Sequence, residues 1–254
     1  MNETQHGTTQ SVLLEGETLF ILDLIPFQPE FDTLRRRVRL KEDSPYLAEL
    51  HTLYQEAQAI ARPKAMIRLA WIEAKYDDSV IVDGIHLKSR VLRVNLEHAQ
   101  RIFAYAATCG TELHRMETQL DDMLQRYWLD VLKEMALGEA LQALDTFITQ
   151  RFRPTRTATM APGSLADWPI SQQRALFNIL GAPEAAIGIQ LTESYLMIPN
   201  KSVSGIRFPT EESFESCQLC PREGCPNRRA PYEPGLYESR YAREDTPTPL
   251  GSTL

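Results

Sequence analysis

Three cysteines stand within nine residues in C-Q-L-C-P-R-E-G-C-P, giving the spacing Cys217-x2-Cys220-x4-Cys225. One short loop can turn thiolates so spaced onto a single metal ion or onto three irons of a cubane cluster. A structural zinc ordinarily takes a fourth ligand, and the residues of suitable type, Cys109, His114 and His86, are all distant in the chain. An iron-sulfur cluster, a zinc site and unligated thiols therefore stay open, and the prolines and arginines that follow also read as a tail wrapping the domain surface. A second concentration of usable groups lies upstream, in 160–208, where small and hydroxylated residues crowd T-E-S around Glu193 and S-V-S-G at 202–205. Ser202 and Ser204 fall on one face of a strand, where they can bond a ligand or satisfy backbone at a sheet edge. Glu193, bracketed by Thr192 and Ser194, either lines a pocket or faces water. Gly205 within a strand marks a place where a ligand or another backbone comes close.

The elements that must position these groups follow from apolar spacing. Leu47, Leu50, Leu53, Tyr54, Ala57 and Ile60 predict a helix over 44–61, capped by Ser44 and ended before Pro63. Between Ala65 and Leu87 the period becomes two, and Asp83-Gly84 marks a hairpin. The run R-I-F-A-Y-A-A-T-C-G reads as a strand ending at Cys109-Gly110 before a helix begins at Thr111. Such a strand-to-helix turn can bind an anion, although most bind nothing. Residues 121–152 form one long amphipathic helix, in which Gly138 marks a close packing contact or a kink. Pro154, Pro162 and Pro169 then make an extended loop, Ser171 caps a short helix, and Gly181-x-Pro183 stops it. Ile187, Ile189 and Leu191 start a strand running through Met197, with S-V-S-G-I-R-F as its hairpin partner across Pro199-Asn200-Lys201. Residues 11–24 form two short strands or an apolar arm, after ten polar residues at the start.

Composition sets broad limits. A chain of 254 residues can bury an independent core, and its net charge of −7 argues against a general nucleic-acid binder. No apolar run approaches the roughly 18 residues that span a bilayer, and M-N-E-T-Q-H-G-T-T-Q is not a secretory pattern, so a cytoplasmic protein is expected. Four cysteines, three of them clustered, suit a reducing compartment better than a disulfide framework. The five histidines include no ligand-spaced pair, His98 reads as a surface residue, and neither a phosphate loop nor a nucleophile elbow is present.

The order A-P-G, D-W-P, I-G-I-Q-L-T-E-S-Y-L-M-I-P and K-S-V-S-G-I resembles the activation domain of cobalamin-dependent methionine synthase, especially its free-standing relatives. A-R-P at Arg62, A-A-T-C-G and L-D-V-L at Leu129 extend the resemblance over about 45–208. It implies a domain that holds S-adenosylmethionine against the corrinoid of a partner, where a cobalamin accidentally oxidised to cob(II) is reduced by one electron and trapped by methyl transfer. The chain's work would be positioning, since the reactive chemistry belongs to the cofactors. The sequence departs from the family in one loop. Gly163 matches the family's glycine, but Thr159 stands where an arginine pairs with the cofactor's carboxylate, and Ser164 stands where a tyrosine approaches the corrin. Arg156 lies three residues too early, and an acidic residue offered by the long helix falls at Gly138, or at Glu139 with a slip of one. Loss of the arginine contact forfeits about 1.5–3 kcal/mol, or about ten- to a hundredfold in affinity.

The sequence thus predicts an α+β fold, with a twisted, mostly antiparallel sheet packed on long helices and a cysteine-rich C-terminal extension. Expected units are an arm (1–43), an activation-domain-like body (44–208), a metal or cluster motif (209–228) and a tail (229–254). Gly163, Thr192, Glu193, Ser202, Ser204 and Gly205 are the candidate cofactor-binding residues, and Cys217, Cys220 and Cys225 the candidate metal ligands. The expected function is an accessory protein for cobalamin-dependent methyl transfer, docking on a corrinoid protein or methyltransferase and drawing on an electron donor. The alternative is a degenerate docking module that no longer binds S-adenosylmethionine.

Overall fold

The computed structural model describes residues 18–211 and 213–242. The polar start, the first part of the 11–24 segment and the end of the expected tail lie outside the described residues. The fold is α+β, and every strand pairing in it is antiparallel. Its strands and helices are, in order, β1 (Leu19–Leu22), α1 (Phe31–Arg37), α2 (Leu47–Ile60), β2 (Lys64–Lys75), β3 (Ser79–Val82), β4 (Ile85–Lys88), α3 (Arg90–Asn95), β5 (Arg101–Thr108), α4 (Thr111–Gln119) and α5 (Met123–Phe152). There follow β6 (Thr157–Met160), α6 (Gln173–Leu180), α7 (Pro183–Ile187), β7 (Gln190–Leu191), β8 (Met197–Ile198), β9 (Ser202–Pro209) and α8 (Leu236–Arg240).

The main sheet runs β4-β3-β2-β5-β9-β6, with β1 on the first half of β2. Strand β5 is central and almost wholly buried, which explains its unbroken apolar run. On one face Met66, Ala70, Ala104 and Ala106 pack with α3, α6 and Trp168. On the other, Ala65, Ile67, Phe103 and Ala107 pack against Ala140, Leu144 and Ile148 of α5. The first half of α5 joins α1, α2 and α4 in a separate core around Trp128 and Leu132. Asp122 caps α5, its carboxylate accepting from the N–H groups of Leu124 (2.8 Å) and Gln125 (2.9 Å). No helix among the described residues is long and apolar enough to cross a membrane.

Several expected elements form as read. The Asp83-Gly84 turn joins β3 to β4 with positive φ at both residues, 45° and 74°, which matches the right-handed twist of the strands. The expected arm contributes β1 to the sheet and α1 to the helical core, with Leu34 fully buried.

Other expectations are corrected. Helix α2 starts at Leu47 after Tyr46 and has no side-chain cap; Ser44 Oγ accepts from the Tyr46 N–H instead. Ser171 lies inside a 3-10 turn, Ile170–Gln172, and caps nothing. The proline-flanked loop contains β6, because β9 offers four residues a partner edge. A Cβ on Gly138 would meet nothing within 4 Å, so of the two readings of that glycine, a close contact or a kink, the close contact is absent.

The largest correction concerns 186–208. Pro183 at the first turn and Gly188 in the left-handed conformation (φ 77°) make 183–187 a helix, leaving only the two-residue strands β7 and β8 as a small hairpin. Strand β9 does not return against that segment. It inserts between β5 and β6, since its side chains bury on both faces.

Candidate functional site

Strand β9 has one partially open edge. It pairs with β5 along 202–207, whereas β6 covers its other side only along 206–209. A cavity of about 890 Å³ opens beside 202–204. Its walls are the loop after β6 (Ala161, Pro162, Ser164), the β7–β8 turn with β8 (Thr192, Leu196, Met197), and the C-terminal segment (Ser216, Cys217, Cys220, Arg229). The volume is that of a small-molecule site, and its walls are mainly apolar with a few polar groups, as such sites require.

The floor is polar and ordered. Ser202 Oγ donates to Thr108 Oγ1 at 2.9 Å, and the Gly110 N–H donates to the same oxygen at 3.2 Å. Gln173, 2% exposed, donates through Nε2 to Ser204 Oγ and approaches Met197 Sδ at 3.6 Å. Each serine therefore keeps hydrogen-bonding capacity beyond its protein partner. Gly205 sits where a Cβ would come within 2.7 Å of the Met160 carbonyl oxygen and 2.9 Å of the Tyr105 hydroxyl. The bare strand at this point gives the Tyr105 ring tip its room. Tyr105 is 9% exposed and lines the cavity, and its hydroxyl meets no hydrogen-bond partner among the described residues. Burial pushes its pKa up to about 12, against a smaller opposing pull from Arg229 and Arg207, so the group is a neutral donor.

The D-W-P motif fixes the loop rather than lining the cavity. The Asp167 carboxylate accepts from Ser89 Oγ and from the Val91 N–H (3.0 Å) at the start of α3, and Trp168 is fully buried. Gly163 closes the loop, its N–H donating to the Trp168 carbonyl at 2.7 Å; its neighbours Pro162 and Ser164 reach the cavity.

Of the residues singled out from the sequence, Thr192, Ser202 and Ser204 line the cavity, Gly205 shapes its floor, and Glu193 is exposed outside it. Thr159 and Ser164 line it as well. Arg156 instead donates to the Glu211 carbonyl at 2.8 Å, and Gly138 and Glu139 border a separate cavity between α5 and residues 28–37. Tyr105, Gln173, Asn200 and Arg229 were not anticipated. The one signal for Tyr105 was a polar-tipped ring within the alanine-rich strand β5, and for Gln173 a polar residue at the buried start of α6.

Cys217 and Cys220 face this cavity and Cys225 does not. Among the described residues no group of three or more His, Cys, Asp or Glu side chains is arranged to hold a metal. The loop is held by Arg228, which donates to the carbonyls of Cys217, Cys220, Ala230 and Arg222, so a guanidinium ties together the turns that carry the thiols. Of the expected ligand set Cys217, Cys220 and Cys225, the first two are therefore cavity-wall residues and the third lies outside the cavity. Cys109, considered as a fourth ligand, is a fully buried core residue.

The cysteines differ in acidity. The Arg229 N–H points at Cys217 Sγ from 3.4 Å and, with Ala230 and the nearby guanidinium charges, lowers its pKa. Burial raises that of Cys109 to about 11. Thiolate is the reactive form, so iodoacetamide at neutral pH is expected to modify Cys217 well before Cys109. Peptide mass mapping over time reads the order, and equal rates at the two residues would show that Cys109 is not buried as described.

Residues 97–217 match the family described as vitamin B12 dependent methionine synthase, activation domain. No curated protein matches the chain. Among similar solved structures is a crystal structure of the MetH reactivation domain bound to AdoHcy, at 17% identity and a TM-score of 0.53 over 83% of each chain. At that identity the likeness is one of fold. The resemblance read from the motifs is the one that both comparisons find.

Proposed function

We propose that this chain is an accessory protein of cobalamin-dependent methyl transfer. It holds S-adenosylmethionine in the β9 cavity and presents it to the corrinoid of a partner protein or methyltransferase, supporting reductive reactivation. The observation that carries this reading is the open edge of β9, with ordered serine hydroxyls and a Tyr105 hydroxyl that has no partner among the described residues, beside a cavity of suitable size. The solved relative contains AdoHcy, the demethylated form of this donor, in a reactivation domain.

The partner's corrinoid supplies the one-electron and methyl-accepting chemistry, and a separate reductant supplies the electron. The residues of this chain bind and orient. Ser202, whose proton goes to Thr108, is left as an acceptor, whereas Ser204, which accepts from Gln173, keeps its own proton to donate. Leu196, Ile198 and Ile170 form an exposed apolar rim, 63%, 37% and 45% exposed, which excludes water when a partner covers it. Cys217 and Cys220 enter this reading as wall residues.

A second reading, a docking module without a methyl donor, is favoured by Thr159 and Ser164, which put neutral side chains on the cavity wall where the family has arginine and tyrosine. Calorimetry with S-adenosylmethionine separates the two. Saturable binding that also slows alkylation of Cys217 is the expected result. Absence of heat and of protection at millimolar ligand would leave the docking module.

A further inference from the structure

Arg229 lies beyond the segment that matches the family, yet among the described residues it is the only charged side chain lining the cavity. The fold delivers it there through a short relay. Thr159 of β6 forms a parallel bridge with Glu215, and the Glu215 carboxylate pairs ionically with Arg229 Nη2 across 2.9 Å. Glu215 is itself fixed by a capping box with Gln218 at the start of the 3-10 turn Ser216–Leu219. The guanidinium is thereby anchored through one nitrogen at the sheet edge beside Thr159. A guanidinium has five N–H donors in a planar fork, so one carboxylate contact leaves others for a ligand.

Tyr105 supplies the second half. Its side chain is 9% exposed, its hydroxyl has no partner among the described residues, and it lines the same cavity near enough to Arg229 to feel its charge. A hydroxyl left without a protein partner at a cavity wall is available to donate to a ligand. The opposite wall, from Met160 and Ile170 to Leu196 and Met197, is uncharged.

We infer that Arg229 and Tyr105 form an anion-recognition corner that takes the carboxylate of a ligand whose remaining surface is apolar or hydroxyl-bearing. The inference rests on the methyl-donor reading, and identifies this corner as the one that grips the amino-acid end of the donor. The positive charge missing at Thr159 is supplied instead by the C-terminal segment, whose folding over the cavity becomes a condition for binding. Glu215 acts as a positioning residue that aims the guanidinium.

The test is calorimetry on the full chain with S-adenosylmethionine and with its decarboxylated analogue, which lacks only the carboxylate. The wild-type chain is expected to prefer the carboxylate-bearing ligand by about ten- to a hundredfold, the range of charge-assisted bonds. Arg229→Gln should remove most of that preference; Arg229→Lys should restore part of it, and Tyr105→Phe should reduce it. Arg229 is more than half exposed, so its replacement leaves the melting temperature in place, and a melt beside each titration checks this. A preference that survives Arg229→Gln, or equal affinity of the wild-type chain for both ligands, overturns the corner while the methyl-donor reading stands. Failure of both ligands to bind overturns that reading and the corner with it.

Discussion

Lys133→Ala is expected to lower the unfolding free energy by about 3 kcal/mol, because breaking a buried ion pair strands the remaining charge. Lys133 is 0% exposed on α5, and its ammonium donates to Glu117 Oε2 at 2.6 Å and to Asn200 Oδ1 at 2.5 Å. The full range for such a loss is about 3–5 kcal/mol, and the lower end applies because Glu117 keeps a quarter of its side chain in water. Urea unfolding reads the change. Lys133→Met separates charge from volume, and the double variant with Glu117→Gln should recover much of the loss if the stranded carboxylate is its cause. A Lys133→Ala chain as stable as the wild type would show that the pair is not buried. The effect reaches the site, because Asn200 lines the cavity and the neighbouring Lys201 pairs with Asp130 of the same helix at 2.9 Å. Helix α5, which borders the opposite face of the sheet, thus holds the turn that feeds β9.

Gly205→Val should destabilise the fold by about 1–3 kcal/mol, the usual cost of overpacking, and abolish measurable ligand binding. Its first side-chain carbon would lie 2.7 Å from a backbone oxygen of β6 and 2.9 Å from the Tyr105 hydroxyl. Met160 belongs to a paired strand, so relief must come from moving β6 or from pushing the Tyr105 ring away from the cavity. Either movement damages the proposed site. Melting and calorimetry on the same preparation distinguish the consequences, and wild-type affinity in a folded Gly205→Val chain would place the ligand elsewhere. Gly205→Ala meets the same two atoms with less bulk and should fall between.

Both effects show how the site depends on a single strand. Strand β9 takes its position from β5, its open edge from the shortness of β6, and its entry angle from a turn fastened to α5. The C-terminal segment completes the enclosure. Tyr241, fully buried, packs its ring 6.3 Å from that of Phe214 and bonds Asn95 Oδ1 at 3.1 Å, so the segment beyond the cysteines is part of the core.

Much of this was legible in the amino-acid order, wherever the deciding interactions are local. The period of two in β2, the Asp83-Gly84 turn, the apolar run of β5 and the long spacing pattern of α5 each follow from neighbours a few residues apart. The hydroxyls at 202–204 and the glycine at 205 announced a place of close approach for the same reason. Other features depended on partners that no local pattern names. Alternation at Ile187, Ile189 and Leu191 suits a strand, but Pro183 and Gly188 make a helix end there, and β9 found its partner in β6, a four-residue strand among prolines. The cysteine spacing was compatible with a metal, and it could not show that Arg228 would tie the loop together. Thr159 and Ser164 read as losses because the sequence shows only what stands in one loop. Tertiary structure decided the rest: the order β5-β9-β6 and the return of the C-terminal segment bring Tyr105, Gln173 and Arg229 to one cavity, across separations along the chain that periodicity and propensity do not span.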